Sequence, residues 1–522
     1  MAHELNHVSV LAKQGIVGLP AELREEIYGY YFRLEDGYTY NPATNKFVAS
    51  HQEKNAMALR TVNKLIAQET RDFVFKYNEI HFTTVALPMT KPNYSQIRHL
   101  LTELSNTRDR ALRRLLTMSD WYDDAARSYV RTNHAQFLPL LDHAKTLRDT
   151  DVDRYREQWK EVPSITRDFI ASTLDTIRPR FCPGSATDPP QMPHIYLKSL
   201  LKTSQGQAIE PWLIPTDDEL DELQRNADEL RPYARSAYGM NEFFAEDKNR
   251  FSAAAVAIGY MKRLRPEARK KIRWIVLDED DDSIAWPECH ARGLIPFCRE
   301  NGQLRIDRRI DIWKLCPRRR GIQYIARWLM EAIALAKFGM PLRAFKLTFI
   351  GGTNPARATQ VLNVALKDAA WQAALERRTS TNPGGLLHPA IIRTSPTFIM
   401  AGFPRAIQDV ANGTSMVRCN FPIGSLPDEN EVPEEHLYWA LDDWESKWNA
   451  SRTEINTSDQ WPSYQAVIDL TFVPNAEASQ ATNDPIVIDV PGYPNDHTPI
   501  EIPLAYPEHG DVEYDEDVQE TG

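Results

Sequence analysis

Apolar positions near the start of the chain fall at helical spacing. Leu23, Ile27 and Tyr31 repeat at i, i+4 and i+8 and make one face of a helix. Pro20 stands just ahead of them, where its missing N–H costs nothing in a first helical turn. A second stripe, Leu59, Val62, Ile66 and Phe73, with Thr70 completing the period, predicts a helix from Ala58 to Phe75. The segment between, Glu35 to Asn55, is polar, contains Gly37 and Asn41-Pro42, and reads as a loop. Ile80 and Phe82 alternate with polar neighbours, as in a short strand. Together these elements predict a compact helical unit over 16–90.

The pattern changes further on. Leu100, Leu101, Leu104, Leu112, Leu115 and Leu116 supply helical faces in a charged region. Pro179, Pro183, Gly184 and Pro189-Pro190 predict a loop near 179–193, and Pro211 with Pro215 a second near 211–216. Helices are expected at 217–231 and 246–264. Ile272, Trp274 and Val276 alternate with Ile275 and Leu277, so both faces of a strand there are apolar, as in a buried strand. A helix over 321–338 stops at Gly339 with Pro341 behind it. A strand from Leu342 to Ile350 breaks at Gly351-Gly352, and another helix then runs to about Arg378. This alternation predicts a crossover arrangement. Leu437, Leu441, Trp444 and Trp448 mark one more helix over 431–449, and Val467 to Val473 a last strand. Five Leu-Arg or Ile-Arg pairs (at Ile97, Leu112, Ile272, Leu304 and Leu342) recur at irregular intervals, so any leucine-rich-like repeat is degenerate. The expected fold is mixed α/β and mostly helical: the unit at 16–90, a mixed α/β body over 91–473, and a tail over 474–522.

Charge sharpens that division. The net charge is −11, yet Arg452 is the last basic residue, and 15 acidic residues follow it. The first 452 residues thus carry 57 acidic against 61 basic side chains. A tail rich in Pro, Asp, Glu and Asn cannot bury enough apolar surface to offset chain entropy, so disorder is expected there. No apolar run approaches the ~18–20 residues of a membrane span, and the first residues lack a secretory apolar core. Five cysteines are too few for a disulfide scaffold. An intracellular protein, cytoplasmic or nuclear, with no membrane partner is expected.

Candidate chemistry is sparse. The run Asp278-Glu279-Asp280-Asp281-Asp282 follows the buried strand and offers oxygen ligands for a divalent cation. Consecutive residues point different ways, so it reads first as a solvated loop. Cys289-His290 and Cys298 lack the C-x₂₋₄-C spacing of structural zinc and read as buried core groups. Gly351-Gly352 before a helix lacks the Lys of a phosphate loop, which leaves a turn with Thr353 or Asn354 as cap. Basic clusters stand at 262–265, 269–271 and 318–320. With no aromatic residues interleaved for base stacking, a nucleic-acid role is not expected; the solvated face of a helix beside Pro266, or contact with the acidic tail, accounts for these clusters as well. The tryptophans at 439–448 have helical period and leucine partners, as core does. No catalytic residue, metal or cofactor is assigned.

One set of words is more specific. Leu19-Pro20-x-Glu22-Leu23-x-x-x-Ile27-Tyr28, then Leu59-x-x-Val62-Asn63-Lys64, then Glu69 and Tyr77-Asn78-x-Ile80-x-Phe82, resembles the F-box and F-box-like domains of fungal proteins. The match covers about 70 of 522 residues. It differs from the ordinary F-box in the inserted segment Glu35 to Asn55, and in Ile66-Ala67-Gln68 where a tryptophan usually stands. The resemblance implies a substrate receptor of a Skp–cullin–F-box ubiquitin ligase. Pro20, Leu23 and Ile27 would contact the Skp-type adaptor, Leu19 and Val62 would support the helix pair, and the body would bind a protein substrate. The alternative is a non-catalytic binding or structural protein that uses these helices only as part of its fold.

Overall fold

A computed structural model describes residues 15–49, 58–86, 122–144, 159–181, 210–214, 219, 250–281, 283–312, 321–381, 389–395, 397–424 and 439–456. The expectations for the leucines at 100–116, the strand at 467–473 and the tail lie outside the described residues, as does nearly all of the helix placed at 217–231.

The centre is a seven-stranded sheet. Its strands are β1 (Tyr38–Asn41), β2 (Lys46–Ala49), β3 (Glu79–Thr83), β6 (Trp274–Glu279), β7 (Arg305–Asp311), β8 (Phe345–Ile350) and β9 (Val417–Cys419). Two further strands, β4 (Val85–Ala86) and β5 (Arg250–Phe251), pair separately as an antiparallel ribbon. The order across the large sheet is β2-β1-β3-β6-β7-β8-β9. Only the β1–β2 hairpin is antiparallel; every later neighbour is parallel. From β1 onward the strands therefore add in chain order and in one direction. Parallel crossovers are right-handed almost without exception, so such a sheet carries its connecting helices on one face.

Burial identifies that face. Ile80, Phe82, Ile275, Leu277, Ile306, Ile310, Leu347 and Phe349 are buried on it. Helix α8 (Ala253–Arg263) packs there against β3 and β6, with Tyr260 5.7 Å from Phe82 between ring centroids. Helix α11 (Gly321–Lys337) brings Trp328 over the Arg308 guanidinium at 4.4 Å. The opposite face carries Glu79, His81, Asp278, Asp307, Arg309, Lys346 and Thr348, the alternate residues of the same strands.

The remaining helices are α1 (Ala21–Phe32), α2 (Ala58–Val62), α3 (Lys64–Glu69), α4 (Phe73–Tyr77), α5 (Asp124–Asn133), α6 (Leu138–Ala144), α7 (Pro163–Phe181), α9 (Pro266–Arg269), α10 (Ile295–Glu300), α12 (Pro355–Thr381), α13 (Pro389–Thr394), α14 (Phe403–Ala411) and α15 (Leu441–Asn456). A 3-10 segment, Pro287–Leu294, leads into α10. Mixed α/β with a helical majority is thus the observed class.

Several local expectations change. The segment Glu35 to Asn55 holds the β1–β2 hairpin where a loop was expected. Tyr38, Tyr40 and Phe47 alternate inward, a strand signal masked by polar composition. The turn is set by Asn41, whose Oδ1 accepts from Ala43 N at 3.0 Å. The single helix expected from Ala58 to Phe75 is three short ones. Asn63 adopts an extended backbone and caps α3, accepting from Leu65 N at 2.7 Å, which ends α2. α7 runs through Pro179 to Phe181, where a loop was expected, and the rest of the segment 179–193 lies outside the described residues. The strand expected from Leu342 starts at Phe345, because Leu342 and Arg343 form a turn with Arg343 at φ 64°. α11 ends as expected, with Gly339 at φ 87° and Met340 N bonded to Leu335 O.

The strands of 16–90 are continuous with the body through the β3–β6 pairing, Ile80 opposite Ile275 and Phe82 opposite Leu277. Gly37 fixes the approach of β1. Its φ is 62°, and a Cβ there would collide with the Glu79 carbonyl.

Candidate docking surface

The N-terminal helices close around a small core. Tyr28 and Phe32 of α1 pack on Ile66 and Phe73, with Ile16, Val17, Leu34, Leu59 and Tyr77 at the margin. Tyr28 meets Phe73 edge-on at 5.8 Å. A polar clasp joins the same helices. Arg24 holds both oxygens of Glu69 through Nε and Nη2, Nε–Oε2 being 3.0 Å, and Tyr28 OH donates to Glu69 at 3.1 Å. The Arg24 hydrogen bonds hold the Glu69 carboxyl below the usual range. Asn78 fixes the exit of α1, accepting from Leu34 N at 2.7 Å and donating to Phe32 O at 2.8 Å.

That core uses Tyr28, Gly29 and Phe32, so the stripe Leu23, Ile27 and Tyr31 faces outward. Leu23 is 47% exposed and Ile27 39%, beside Tyr30 at 77% and Tyr31 at 40%. Pro20 is exposed just ahead of the helix, and Leu19 is half-buried. Val62 is 73% exposed at the end of α2, and Leu65 of α3 is 40% exposed. None of Leu19, Leu23, Ile27 or Val62 belongs to the core cluster. Among the described residues eight large hydrophobic side chains are exposed, and six of them lie on α1, α2 and α3. Tyr30 and Leu65 were not singled out from the sequence, although Tyr30 falls beside the stripe at helical period. A groove of about 470 Å³ runs along the neighbouring face of α1, lined by Glu22, Glu25, Glu26, Gly29, Tyr30, Arg33 and Tyr77.

The other candidates resolve differently. Asp282 lies outside the described residues; the carboxylates of Asp278 to Asp281 are each engaged separately, two of them on β6 itself, so a solvated loop does not describe them. Asp278 meets His81 Nδ1 at 3.1 Å, Asp280 accepts from Thr84 N at 3.1 Å, and Asp281 pairs with Arg250. Glu279 is buried and accepts from Ala253 N at 3.0 Å and Arg308 Nε at 2.8 Å. Strand alternation sends Asp278 and Glu279 to opposite faces. Among the described residues no group of three His, Cys, Asp or Glu is placed to hold a metal ion.

Cys289 and His290 are buried in the 3-10 segment. His290 Nε2 lies 2.7 Å from Ala285 O, which can only accept, so Nε2 carries the proton and Nδ1 accepts from Ser252 Oγ at 2.7 Å. Ser252 in turn caps α8, accepting from Ala255 N. Burial pushes the Cys289 thiol up to about 12, against the reactivity of a catalytic thiolate. Asn354 is the cap expected at the Gly351-Gly352 turn, accepting from Arg357 N at 3.1 Å. Trp444 and Trp448 are fully buried against Trp371, and Trp448 Nε1 donates to Asp368 at 2.7 Å. No described helix is long and apolar enough to cross a membrane.

No protein-family model, curated protein or solved structure matches the chain.

Proposed function

We propose that this chain is a protein-interaction adaptor, the substrate-receptor subunit of a Skp–cullin–F-box ubiquitin ligase, acting in the cytoplasm or nucleus. The observation that carries this reading is the outward stripe of α1. Contiguous exposed apolar side chains on one helix cost solvation and mark interaction surfaces. Here they coincide with Leu23 and Ile27, two of the positions that the F-box-like words assign to adaptor contact. Pro20 and Val62 are exposed as well, and the Arg24–Glu69 clasp holds the helices in one geometry. The body reads as a degenerate leucine-rich-like array. Support for that comes from strands that add in chain order, although their starts at 79, 274, 305, 345 and 417 keep no steady period.

The test is co-purification of the full chain with a Skp-type adaptor. Capture by the parent, abolished by Leu23→Asp with Ile27→Asp, is the expected result; capture that survives the double change would sink the reading. A second reading treats the helices as fold alone. The continuity of β3 with the body sheet favours it, and it requires that the parent capture no adaptor at all.

A further inference from the structure

We infer that the N-terminal edge of the parallel sheet is a docking surface for an acidic segment, carrying apolar side chains, of a partner protein. The edge is defined by the strand starts at Trp274, Arg305 and Phe345. α8 begins at the opposite edge, where Glu279 bonds to Ala253 N, and ends here with Lys262 and Arg263. Cations from three separate stretches, 262–273, 299–305 and 343–346, thereby meet along one border.

Helix C-termini explain part of this charge. Their last carbonyls carry partial negative charge and lack intrahelical donors. Arg269 donates to Leu264 O at 3.0 Å and pairs with Glu300 at 2.9 Å. Arg299 donates to Phe338 O at 3.0 Å and Gly339 O at 3.1 Å. Arg263 reaches Tyr40 OH at 3.0 Å. Lys262, Arg265, Lys270 and Arg343 are left over. They are exposed, and no acidic side chain among the described residues pairs with them.

The same border holds the two exposed large hydrophobics that the N-terminal helices do not account for. Trp274 is 50% exposed and Leu342 is 91% exposed. In the sheet register Trp274 stands between Glu79 of β3 and Arg305 of β7. Tryptophan and arginine are the residues most enriched at protein–protein hot spots. Glu79 beside Trp274, Glu267 in α9 and Asp72 near Lys271 at 3.8 Å interrupt the positive field. Those carboxylates oppose a continuous phosphate backbone, and a lone ring is a poor track for stacked bases. A peptide satisfies the pattern with spaced carboxylates on the cations and apolar side chains on Trp274 and Leu342. That this segment belongs to a ubiquitination substrate rests on the receptor reading above; the binding itself does not.

Fluorescence anisotropy with the full chain tests this against three probes: a labelled peptide of alternating Glu and Leu, a labelled single-stranded oligonucleotide, and phosphatidylserine vesicles. The peptide should bind best, and more weakly as salt rises. Lys270→Glu with Arg343→Glu should weaken it about tenfold or more, and Trp274→Ala by a similar factor. Where Trp274→Ala fails to fold, Leu342→Ser replaces it, because that side chain lies in solvent. The inference is overturned if the peptide does not bind, if the variants bind like the parent, or if oligonucleotide or vesicles bind more tightly. Leu23→Asp with Ile27→Asp should leave peptide binding unchanged, so failure of adaptor capture and failure of this inference are separate outcomes.

Discussion

Arg308 on β7 and Glu279 on β6 form an ion pair in which both side chains are 1% exposed. Arg308 also donates to Pro287 O at 2.7 Å and lies over Trp328, while Glu279 accepts from the first N–H groups of α8. One pair thus ties two strands, the start of α8 and the 3-10 segment. Removing one partner leaves the other charge buried without compensation. Glu279→Ala or Arg308→Ala should cost about 3–5 kcal/mol, read from the urea midpoint. A loss below about 1 kcal/mol would mean that water reaches the pair.

The two faces of α1 should respond oppositely to substitution. Phe32 is fully buried, and Phe32→Ala should destabilise by about 3–5 kcal/mol. Leu23→Asp and Ile27→Asp, on the outward stripe, should each change stability by no more than about 0.5 kcal/mol. Thermal unfolding of the three single variants checks this. Equal losses would show that the stripe is covered.

His290 gives a pH dependence of known sign. Burial, aided by the charges of Arg308 and Arg167, lowers its pKa to about 3, against an ordinary value near 6.5. The folded state therefore keeps the ring neutral where the unfolded chain binds a proton. Its contribution is whole above about 6.5 and is lost as pH falls toward 3, at about 1.4 kcal/mol per pH unit. Glu331 works the other way, since burial raises its carboxyl and its contribution is lost as pH rises. The difference between parent and His290→Gln isolates the histidine. Urea midpoints of the parent should fall faster than those of the variant between about pH 6.5 and pH 5, and parallel curves would refute the assignment.

Gly293 is required by packing rather than by backbone conformation. A Cβ there would overlap the indole of Trp212 and the Cδ1 of Ile258. Gly293→Ala should cost about 1–3 kcal/mol. Trp212→Ala in the same chain should recover part of that loss, a coupling that a double-mutant cycle measures.

Local pattern carried a good deal of this fold. The end of α11 at Gly339, the cap at Asn354 and the alternation Ile80-x-Phe82 depend on neighbours a few residues away, and all were legible. The β1–β2 hairpin was hidden because its inward residues, Tyr38, Tyr40 and Phe47, sit in a polar stretch. The three-way break at Asn63 and Thr70 was hidden because the apolar period runs straight through it. Cap chemistry at Asn63 outweighs that period.

The sequence by itself determined which residues could form helices and strands, the acidic end of the chain, and the stripe Leu23, Ile27, Tyr31. It could not decide which way that stripe faces, because periodicity reports a face and not what lies against it. Only the tertiary structure turned Tyr28 and Phe32 inward and left Leu23 and Ile27 in solvent. It likewise decided that the Glu279 side of β6, and not the Asp278 side, is the one buried against the start of α8. Parallel pairing also brought Trp274, Arg305 and Leu342 to one edge, from positions far apart in the chain. Those outcomes depend on long-range register, and register is fixed by which buried surfaces fit together.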